Sequence, residues 1–449
     1  MTTRLLPPTT RHELRLLAAA RPAMAAVLLA GGAVAGARAD GAGLRRVPGL
    51  GWVTADPVVG RQVLTDHRSF TILGEGGVGH LWAQILGDWV LDLFDGPGHH
   101  DLRSRSRELF TEASAAALVD DAWSAPLAAA RSTLRAGGAV DVGRLARVLV
   151  GRMMISLLGV PQRGPVPTDD EALTAFATGE RLAAVALGSA GSTYLDARQV
   201  ATAQALVAEL TRGVPDGWRD APEDRLLGRC RALGLTLEET TGLASLLMVA
   251  GTETSASAMA RTTALLVDTG EQHRLLARMA AQRDAARAGV PAGAGRADDG
   301  LPAAPATTAQ GGPGGPACAG PGTDDAVENV VREGLRVTSP ASVIGRGVAA
   351  DVDLAGRRLR AGERVMILTW AANVASGPFR ADRPYVRETR QLWFGAGRHL
   401  CLGAALARAE IAALLHTLYD DGAPLRVVSR RASRRVLVPG YDELVVARA

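Results

Sequence analysis

The pattern of apolar and polar positions divides the chain into a long helical part and a smaller strand-rich part. Residues 110–285 are rich in Ala, Leu, Arg and Glu, and Gly/Pro breaks such as LGVPQRGPVP and RGVPDGW separate successive predicted helices. Residues 342–370, SVIGRGVAADVDLAGRRLRAGERVMILTW, alternate in polarity and turn at Gly, which predicts short strands in a small sheet. A helix is predicted after Cys401, and RRVLVPGYDELVVARA is expected to form a closing hairpin. The pattern predicts a mostly α fold with a minor β-rich lobe.

One segment, residues 286–323, matches neither pattern. It reads ARAGVPAGAGRADDGLPAAPATTAQGGPGGPACAGPGT and consists almost entirely of Ala, Gly, Pro and Thr. Such a composition buries too little apolar surface to offset the entropy of ordering the chain. We therefore expect a disordered insertion within a folded domain.

Composition and charge narrow the class of protein. The chain has 449 residues, 47% of them hydrophobic and 21% charged, which is ordinary for a soluble globular protein. Three cysteines do not suggest a disulfide framework, and they fit a reducing compartment. The sequence contains no lysine, so all 50 basic side chains are arginines, interspersed with 46 acidic ones. This balance predicts a mixed solvated surface and no nucleic-acid binding.

The N-terminal apolar run PAMAAVLLAGGAVAGA could imitate either a membrane span or a signal peptide. It is too short to cross a bilayer as a helix. The region before it is long for a signal peptide and contains Glu13. We expect a packed N-terminal segment of a cytoplasmic protein that is not membrane-bound.

The most informative stretch is QLWFGAGRHLCLGAALARAE, residues 391–410. Gly395 and Gly397 permit a tight turn before Cys401, and a helix follows it. Free backbone N–H groups and the helix N-terminus are expected to lower the pKa of the thiol. Gly403 leaves room for a flat body to approach the backbone. One thiolate without a neighbouring Cys suits a single axial bond to a metal already held by other atoms, as in haem.

The spacing Phe-Gly-x-Gly-x-His-x-Cys-x-Gly, from Phe394 to Gly403, resembles the haem-binding signature of the cytochrome P-450 family, in its bacterial soluble type. The resemblance extends from about residue 50 to the C-terminus. It implies one cytochrome P-450 domain over residues 1–449, with Cys401 as the ligand of haem b iron. Phe394, Gly395 and Gly403 would shape the cofactor site.

Glu333 and Arg336 stand one helical turn apart and resemble the family's Glu-x-x-Arg motif, a buried ion pair that supports the cysteine loop. The family adds a third partner, an arginine from the segment between that helix and the cysteine. Arg387 is the first candidate for this partner and Arg383 the second.

Upstream, LLMVAGTETSASA resembles the family's oxygen-activation helix. Gly251 costs helix stability, which suggests that space is needed there, and Thr254 can bond back to the carbonyl one turn earlier and open the helix locally. The resemblance implies that Glu253 and Thr254 relay protons and that Gly251 leaves room for dioxygen. Family position also implies an apolar substrate pocket. Its expected lining is HLWAQILGDWVLDLF, AAVALGSAGSTYL, the Met248–Val249 turn, Ala341 to Val343 and the loop at Gly440–Tyr441.

Four cationic or polar side chains match the residues that bind haem carboxylates in this family. They are His99, Arg103, Arg346 and His399. Because haem propionates are anionic, paired Arg and His donors are suitable partners.

The resemblance implies an oxidoreductase: a haem-dependent monooxygenase that inserts one oxygen atom of O2 into a lipophilic small molecule, in bacterial specialised metabolism. Electrons would come from a ferredoxin with its reductase, docking on arginines such as Arg103, Arg105, Arg107 and Arg408. Two alternatives stay open at this point. One is a haem-thiolate enzyme that performs oxidative coupling, ring formation or peroxide-driven oxidation, and the other is a non-catalytic haem sensor.

Overall fold

The computed structural model describes residues 8–36, 43–74, 77–87, 89–158, 166–187, 194–288, 325–383 and 391–449. Two expectations fall largely or wholly outside these ranges. They are Arg387 and all of the proposed 286–323 insertion except its first three residues.

Helices make up most of the described chain, as the sequence pattern predicted. Their bounds are α1 Pro8–Ala20, α2 Pro22–Gly36, α3 Pro57–Thr65, α4 Val78–Leu86, α5 Trp89–Phe94, α6 His99–Glu108, α7 Glu112–Arg135, α8 Val142–Leu158, α9 Asp169–Leu187, α10 Ala197–Leu210, α11 Val214–Asp220, α12 Leu226–Ala232, α13 Leu237–Asp268, α14 Gln272–Arg287, α15 Ala326–Thr338, α16 Thr369–Val374 and α17 Ala404–Leu418. Helix α14 ends at Arg287, so the first residues of the expected insertion are helical.

Ten strands of the described chain form three small sheets. Their bounds are β1 Leu44–Val47, β2 Gly51–Thr54, β3 Phe70–Thr71, β4 Ala139–Asp141, β5 Ile344–Val348, β6 Val352–Leu354, β7 Arg357–Leu359, β8 Arg364–Ile367, β9 Leu425–Ala432 and β10 Tyr441–Arg448. The largest sheet has the order β1-β2-β8-β5-β3, the second β4-β10-β9 and the third β6-β7. Strands β5 to β8 are the expected short strands. A hairpin does close the chain, but its first strand, β9, lies before the segment 434–449 in which the hairpin was expected, and only β10 falls within that segment.

Helix α13 is the centre of the molecule. It begins with a capping box in which the Thr236 hydroxyl accepts from Glu239 N and the Glu239 carboxylate accepts from Thr236 N. It contacts α8, α9, α15 and α17, and most of its side chains are buried. A 32-residue helix with such burial forms the core of the helical part, so its few exposed positions are informative.

A buried ion pair fixes the N-terminal helices. Arg261 of α13 contacts the Glu13 carboxylate of α1, and neither side chain has exposed surface. His12 Nε2 lies 2.6 Å from the Tyr441 hydroxyl of β10. Leu17 and Leu28 are buried in the same region, so the apolar N-terminal run is a packed segment. Within the part of the chain that the structure describes, none of the helices combines the length and hydropathy needed to cross a membrane.

Candidate functional site

The loop before Cys401 has the tight backbone that its glycines predicted. Gly395 and Gly397 adopt φ values of +72° and +68°, which side-chain-bearing residues rarely adopt. A Cβ at Gly397 would also lie 2.5 Å from the Leu64 carbonyl oxygen of α3. Cys401 N donates to Phe394 O at 2.9 Å and closes the loop. Helix α17 begins three residues later, so the backbone fixes the position of the cysteine.

Cys401 has exposed surface although protein surrounds it closely, as expected of a side chain that faces an interior space. Burial raises the pKa of this thiol, while the Gly403 N–H and the Arg103 charge act in the opposite direction. The expected lowering is therefore present but is outweighed by burial. Metal coordination would supply the missing stabilisation, since a coordinating thiol is deprotonated outright.

The pair Glu333–Arg336 on α15 has the geometry of a buried bidentate ion pair. Arg336 Nε and Nη2 donate to the two Glu333 carboxylate oxygens at 2.8 Å each, and each residue is 4% exposed. Arg383, the second candidate for the third partner, places its Nε 3.1 Å from Glu333 Oε1, an ion-pair contact without hydrogen-bond alignment. Arg387 lies outside the described residues.

This ion-pair cluster connects to the cysteine loop through Asn373. Arg336 Nη1 donates to Asn373 O at 2.8 Å, and Leu392 N donates to Asn373 Oδ1 at 3.2 Å. Leu392 in turn accepts a bond from Gly395 N at 2.9 Å. The buried cluster thus holds the start of the loop in place.

One face of α13 is open where its other faces are buried. Ala250 is exposed, Leu246, Leu247 and Thr254 are partly exposed, and a Cβ at Gly251 would meet no atom within 4 Å. The Thr254 hydroxyl donates to Ala250 O at 2.6 Å, as the sequence predicted. The helix nevertheless continues unbroken past this point, so the expected local opening is absent from α13.

The two residues of α13 that were expected to line the substrate pocket do not lie on this open face. Met248 and Val249 are buried in the helical core and not exposed on the open face. The helical period of 3.6 residues places 246, 247, 250, 251 and 254 on a common stripe, and this signal in the sequence identifies the correct positions.

Glu253 projects from a different side of α13 than Thr254. Its Oε2 accepts from Val438 N at 2.7 Å, and the residue is 6% exposed. Burial raises the pKa of Glu253 to about 7, the Val438 N–H opposes this, and Glu180 adds to it. The acid and the alcohol are adjacent on the helix, but their functional atoms face different neighbours.

Four predicted cofactor-binding side chains lie in one region. The His99 and His399 rings are 5.3 Å apart, and the Arg103 and Arg346 charges act on the pKa of His399. Burial lowers the pKa of His99 to about 4, and its Nδ1 lies 2.7 Å from Leu93 O. A carbonyl only accepts, so Nδ1 carries the proton, and Nε2 can donate to a carboxylate only if the ring is protonated.

Asp95 also lies among these residues and was not predicted from the sequence. Its carboxylate accepts from the Thr71 hydroxyl at 2.7 Å and lies 3.3 Å from His399 Nε2 and 3.5 Å from Arg398 Nη1. Burial would raise the pKa of Asp95, but the hydrogen bonds from His399 and Thr71 lower it on balance. In the sequence, its position four residues before His99 could have indicated that Asp95 belongs to this group.

The described residues fit a haem group. Arg346 is 5% exposed and has no carboxylate within ion-pair distance among the described residues, and the buried Arg103 Nε lacks a partner. Buried cations of this kind are costly unless an anion pairs with them, which the haem carboxylates would do. Cys401 offers a free sulfur, and a Cβ at Gly403 or Gly251 would meet no atom within 4 Å.

The two open positions belong to helices that touch. Helix α13 packs on α17, and the Ser255 side chain of α13 lies near enough to the Glu410 carboxyl of α17 to act on its pKa. Gly251 precedes this contact by about one helical turn, and Gly403 by about two turns. The space beside Cys401 and the space beside α13 therefore adjoin the same helix pair.

Comparison with known proteins agrees with this site. Residues 326–419 match the family model described as Cytochrome P450. Over 125 residues the chain is 41% identical to the putative cytochrome P450 140 of Mycobacterium tuberculosis, a match covering 26% of this chain and 28% of that protein. The chain thus matches less than a third of the length of that curated relative.

Two solved structures share the fold over nearly the whole chain. Cytochrome P450-153 from Novosphingobium aromaticivorans has a TM-score of 0.65 and 20% identity, covering 98% of this chain and 100% of that one. P450BioI, solved in complex with hexadec-9Z-enoic acid ligated acyl carrier protein, has a TM-score of 0.65 and 18% identity, covering 94% and 100%. Residues 326–419 thus match the cytochrome P450 family model, and over nearly the whole chain the fold, with its cysteine loop and supporting ion pair, is that of these cytochrome P450 structures.

Proposed function

We propose that the protein is a haem-dependent monooxygenase that oxidises a lipophilic small molecule. One atom of dioxygen enters the substrate and the other is reduced to water, with the uptake of two electrons and two protons. The observation that carries the proposal is the free, exposed Cys401 sulfur in the same region as Arg346, which is buried without a carboxylate within ion-pair distance among the described residues, and Arg103, whose buried Nε lacks a partner.

When bound, haem supplies a redox-active iron whose thiolate ligand favours cleavage of the O–O bond. The Cys401 sulfur would be that ligand. Arg103, Arg346 and His399 would hold the carboxylates of the cofactor, and His99 would join them in its protonated form. The glycines of the loop keep the backbone close and rigid, which fixes the sulfur in place.

Two residues of α13 are suited to moving protons. The carboxyl of Glu253, with a pKa of about 7, can hold or release a proton near neutral pH. The Thr254 hydroxyl lies at the open face and donates to Ala250 O, so its oxygen is free to accept another hydrogen bond. Transfer between the two requires the Glu253 side chain to leave Val438 N and rotate toward the open face.

The open face of α13 favours an apolar substrate. Leu246, Leu247 and Ala250 present only hydrocarbon there, so they would exclude water and bind by apolar contact. The similar P450BioI is described in complex with a fatty acid attached to a carrier protein. These observations support a lipophilic substrate, and we place the reaction in bacterial specialised metabolism.

We propose a ferredoxin with its reductase as the electron donor. Arg107 is exposed and has no ion-pair partner among the described residues. Arg408 already pairs with Glu112 at 2.6 Å and Arg105 with Asp101 at 2.7 Å, so a docking partner would compete for them. Electron transfer should therefore slow as salt screens the exposed charges.

The test is the reduced carbon-monoxide difference spectrum of the wild type and of Cys401→Ala, with Cys230→Ala as the matched control. Cys230 is buried in the helical core, and burial raises the pKa of its thiol to about 12, so it is a poor ligand. A thiolate-type, red-shifted band that only Cys401→Ala abolishes supports the proposal. A band that survives Cys401→Ala would contradict it. Turnover with a surrogate ferredoxin and reductase then distinguishes an enzyme from a sensor.

A further inference from the structure

A small cavity lies behind α13, on the side of Glu253. Its volume is about 30 Å³, which holds about two water molecules. Two carboxyl groups line it, Glu253 of α13 and Glu180 of α9. The remaining polar lining includes Arg147, Ser257 and Tyr441. Such a site is polar and large enough for ordered water.

Close packing of α9 on α13 creates this arrangement. A Cβ at Gly179 would lie 2.5 Å from Thr252 Oγ1, so only glycine permits the observed approach of the two helices. Glu180 and Glu253 are the next residues along each helix. The contact therefore brings the two carboxyl groups to the same cavity.

The two carboxyl groups differ in their access to solvent. Glu253 is 6% exposed and accepts from Val438 N. Glu180 is partly exposed and has no hydrogen-bond or ion-pair partner among the described residues. The Arg147 guanidinium, which could have paired with it, instead donates to the carbonyls of Tyr441 and Asp442 at 3.1 and 2.7 Å. Glu180 is thus a free carboxyl between bulk water and the buried acid.

The surrounding charges couple the two acids. Burial raises the pKa of Glu180, Arg147 opposes this, and Asp442 adds to it. For Glu253, burial has the largest effect and raises the pKa, the Glu180 charge raises it further, and Arg21, between α1 and α2, lowers it. The pKa of Glu253 therefore responds to the charge of Glu180.

We propose that Glu180 is the solvent-side member of a proton path that runs through water in this cavity to Glu253. Glu180 takes a proton from bulk water, cavity water passes a proton on to the Glu253 carboxyl, and no electron moves. The inference rests on the proposed function, which consumes two protons per turnover, and it assigns Glu180 the role of a positioning and relay residue.

The experiment is an infrared titration of the full-length haem-containing protein with 13C-labelled glutamate carboxyls. Glu253→Gln identifies the band of the protonated Glu253 carboxyl, whose midpoint is expected near pH 7 in the wild type. Glu180→Gln removes a neighbouring negative charge, so the midpoint should move to lower pH, towards the ordinary value of about 4.3. Glu180→Asp keeps the charge and should restore much of the wild-type midpoint.

The matched control is Asp170→Asn, which removes an exposed acid from the same helix and should leave the midpoint unchanged. In turnover, Glu180→Gln should slow product formation by up to about tenfold, less than the 10²–10⁴ of a direct general acid. It should also raise the share of reducing equivalents released as hydrogen peroxide, because proton supply then lags behind electron supply.

An unchanged Glu253 midpoint in Glu180→Gln, or the same shift in Asp170→Asn, overturns the inference. The outcome is separate from that of the proposed function. A shifted midpoint in a protein without the thiolate-type carbon-monoxide band would support the interaction of the two carboxyl groups and contradict the monooxygenase function. A normal band with an unshifted midpoint would support the monooxygenase function and contradict the interaction of the carboxyl groups.

Discussion

Replacing Glu333 with glutamine should destabilise the fold more than any exposed charge change. In the wild type its carboxylate accepts two bonds from Arg336 at 2.8 Å, lies 3.1 Å from Arg383 Nε, and accepts from Arg380 N at 3.1 Å. The neutral amide leaves the Arg336 guanidinium buried with only uncharged partners, the carbonyls of Asn373 and Pro378 and the Ser376 hydroxyl. An uncompensated buried charge is the main cost.

The magnitude follows from measured losses of this kind. Removing one partner of a buried pair costs about 3–5 kcal/mol of unfolding free energy. Unfolding entropy is about 2.1 cal/mol/K per residue, or about 0.9 kcal/mol/K for 449 residues. The expected fall in Tm is therefore about 3–5 °C, measured by calorimetry. Haem retention should fall as well, because Arg336 also fixes the segment that leads to the cysteine loop.

The control is Glu209→Gln on α10. Glu209 lies 3.7 Å from Arg181, and the two side chains are 48% and 59% exposed, so the loss should be at most about 1 kcal/mol. The double variant Glu333→Leu/Arg336→Met should recover part of the loss, because it leaves no unpaired charge at their position. If Glu333→Gln lowers Tm no more than Glu209→Gln does, the buried-charge argument is wrong.

Three further changes test other parts of the site. Burial raises the pKa of Glu410 to about 7, so this group alone should cost the wild type about 3 kcal/mol of stability as pH rises from its unfolded pKa of about 4.3 to 7. Glu410→Gln should reduce the fall of Tm with pH without abolishing it, because the pKa of Glu253 is also raised to about 7. An equal slope in both proteins would contradict the assignment. Gly395→Ala and Gly397→Ala should each lower the unfolding free energy by about 1–2 kcal/mol, because alanine disfavours the left-handed backbone. Gly397→Ala should lower it further, because its Cβ would lie 2.5 Å from a carbonyl oxygen. Equal Tm values for the two variants would be evidence against this. Arg346→Gln should speed haem transfer to apomyoglobin, and an unchanged transfer rate would exclude Arg346 from carboxylate binding.

Local pattern predicted the helices and the strands of the later part well, and it missed contacts that depend on distant segments. Strand β2 pairs with β8 in parallel, with Trp52 opposite Val365. A four-residue strand gives almost no periodic signal, and its partner lies some three hundred residues away. The five-stranded sheet could therefore not be assembled from the sequence.

In the candidate site, too, local features were predictable from the sequence and contacts with distant segments were not. The spacing around Cys401 was sufficient to locate the loop, because the positive φ angles demand glycine at fixed positions. Periodicity could not show that Glu253 turns toward Val438, since that depends on which loop packs there. The sequence could not decide between Arg383 and Arg387, because ANVASGPFRADRPYVRETR departs from the usual pattern of the family.

The buried pair between Glu13 and Arg261 also constrains the order in which the chain can fold during synthesis. The two residues are 248 positions apart, so at 5–20 residues per second Glu13 leaves the ribosome about 12–50 s before its partner. The interval between the synthesis of His12 and that of its partner Tyr441 is longer still, because the two residues are 429 positions apart. Helix α1 must therefore stay hydrated or bound by a chaperone during most of translation, and its docking is a late step that completes the helical core.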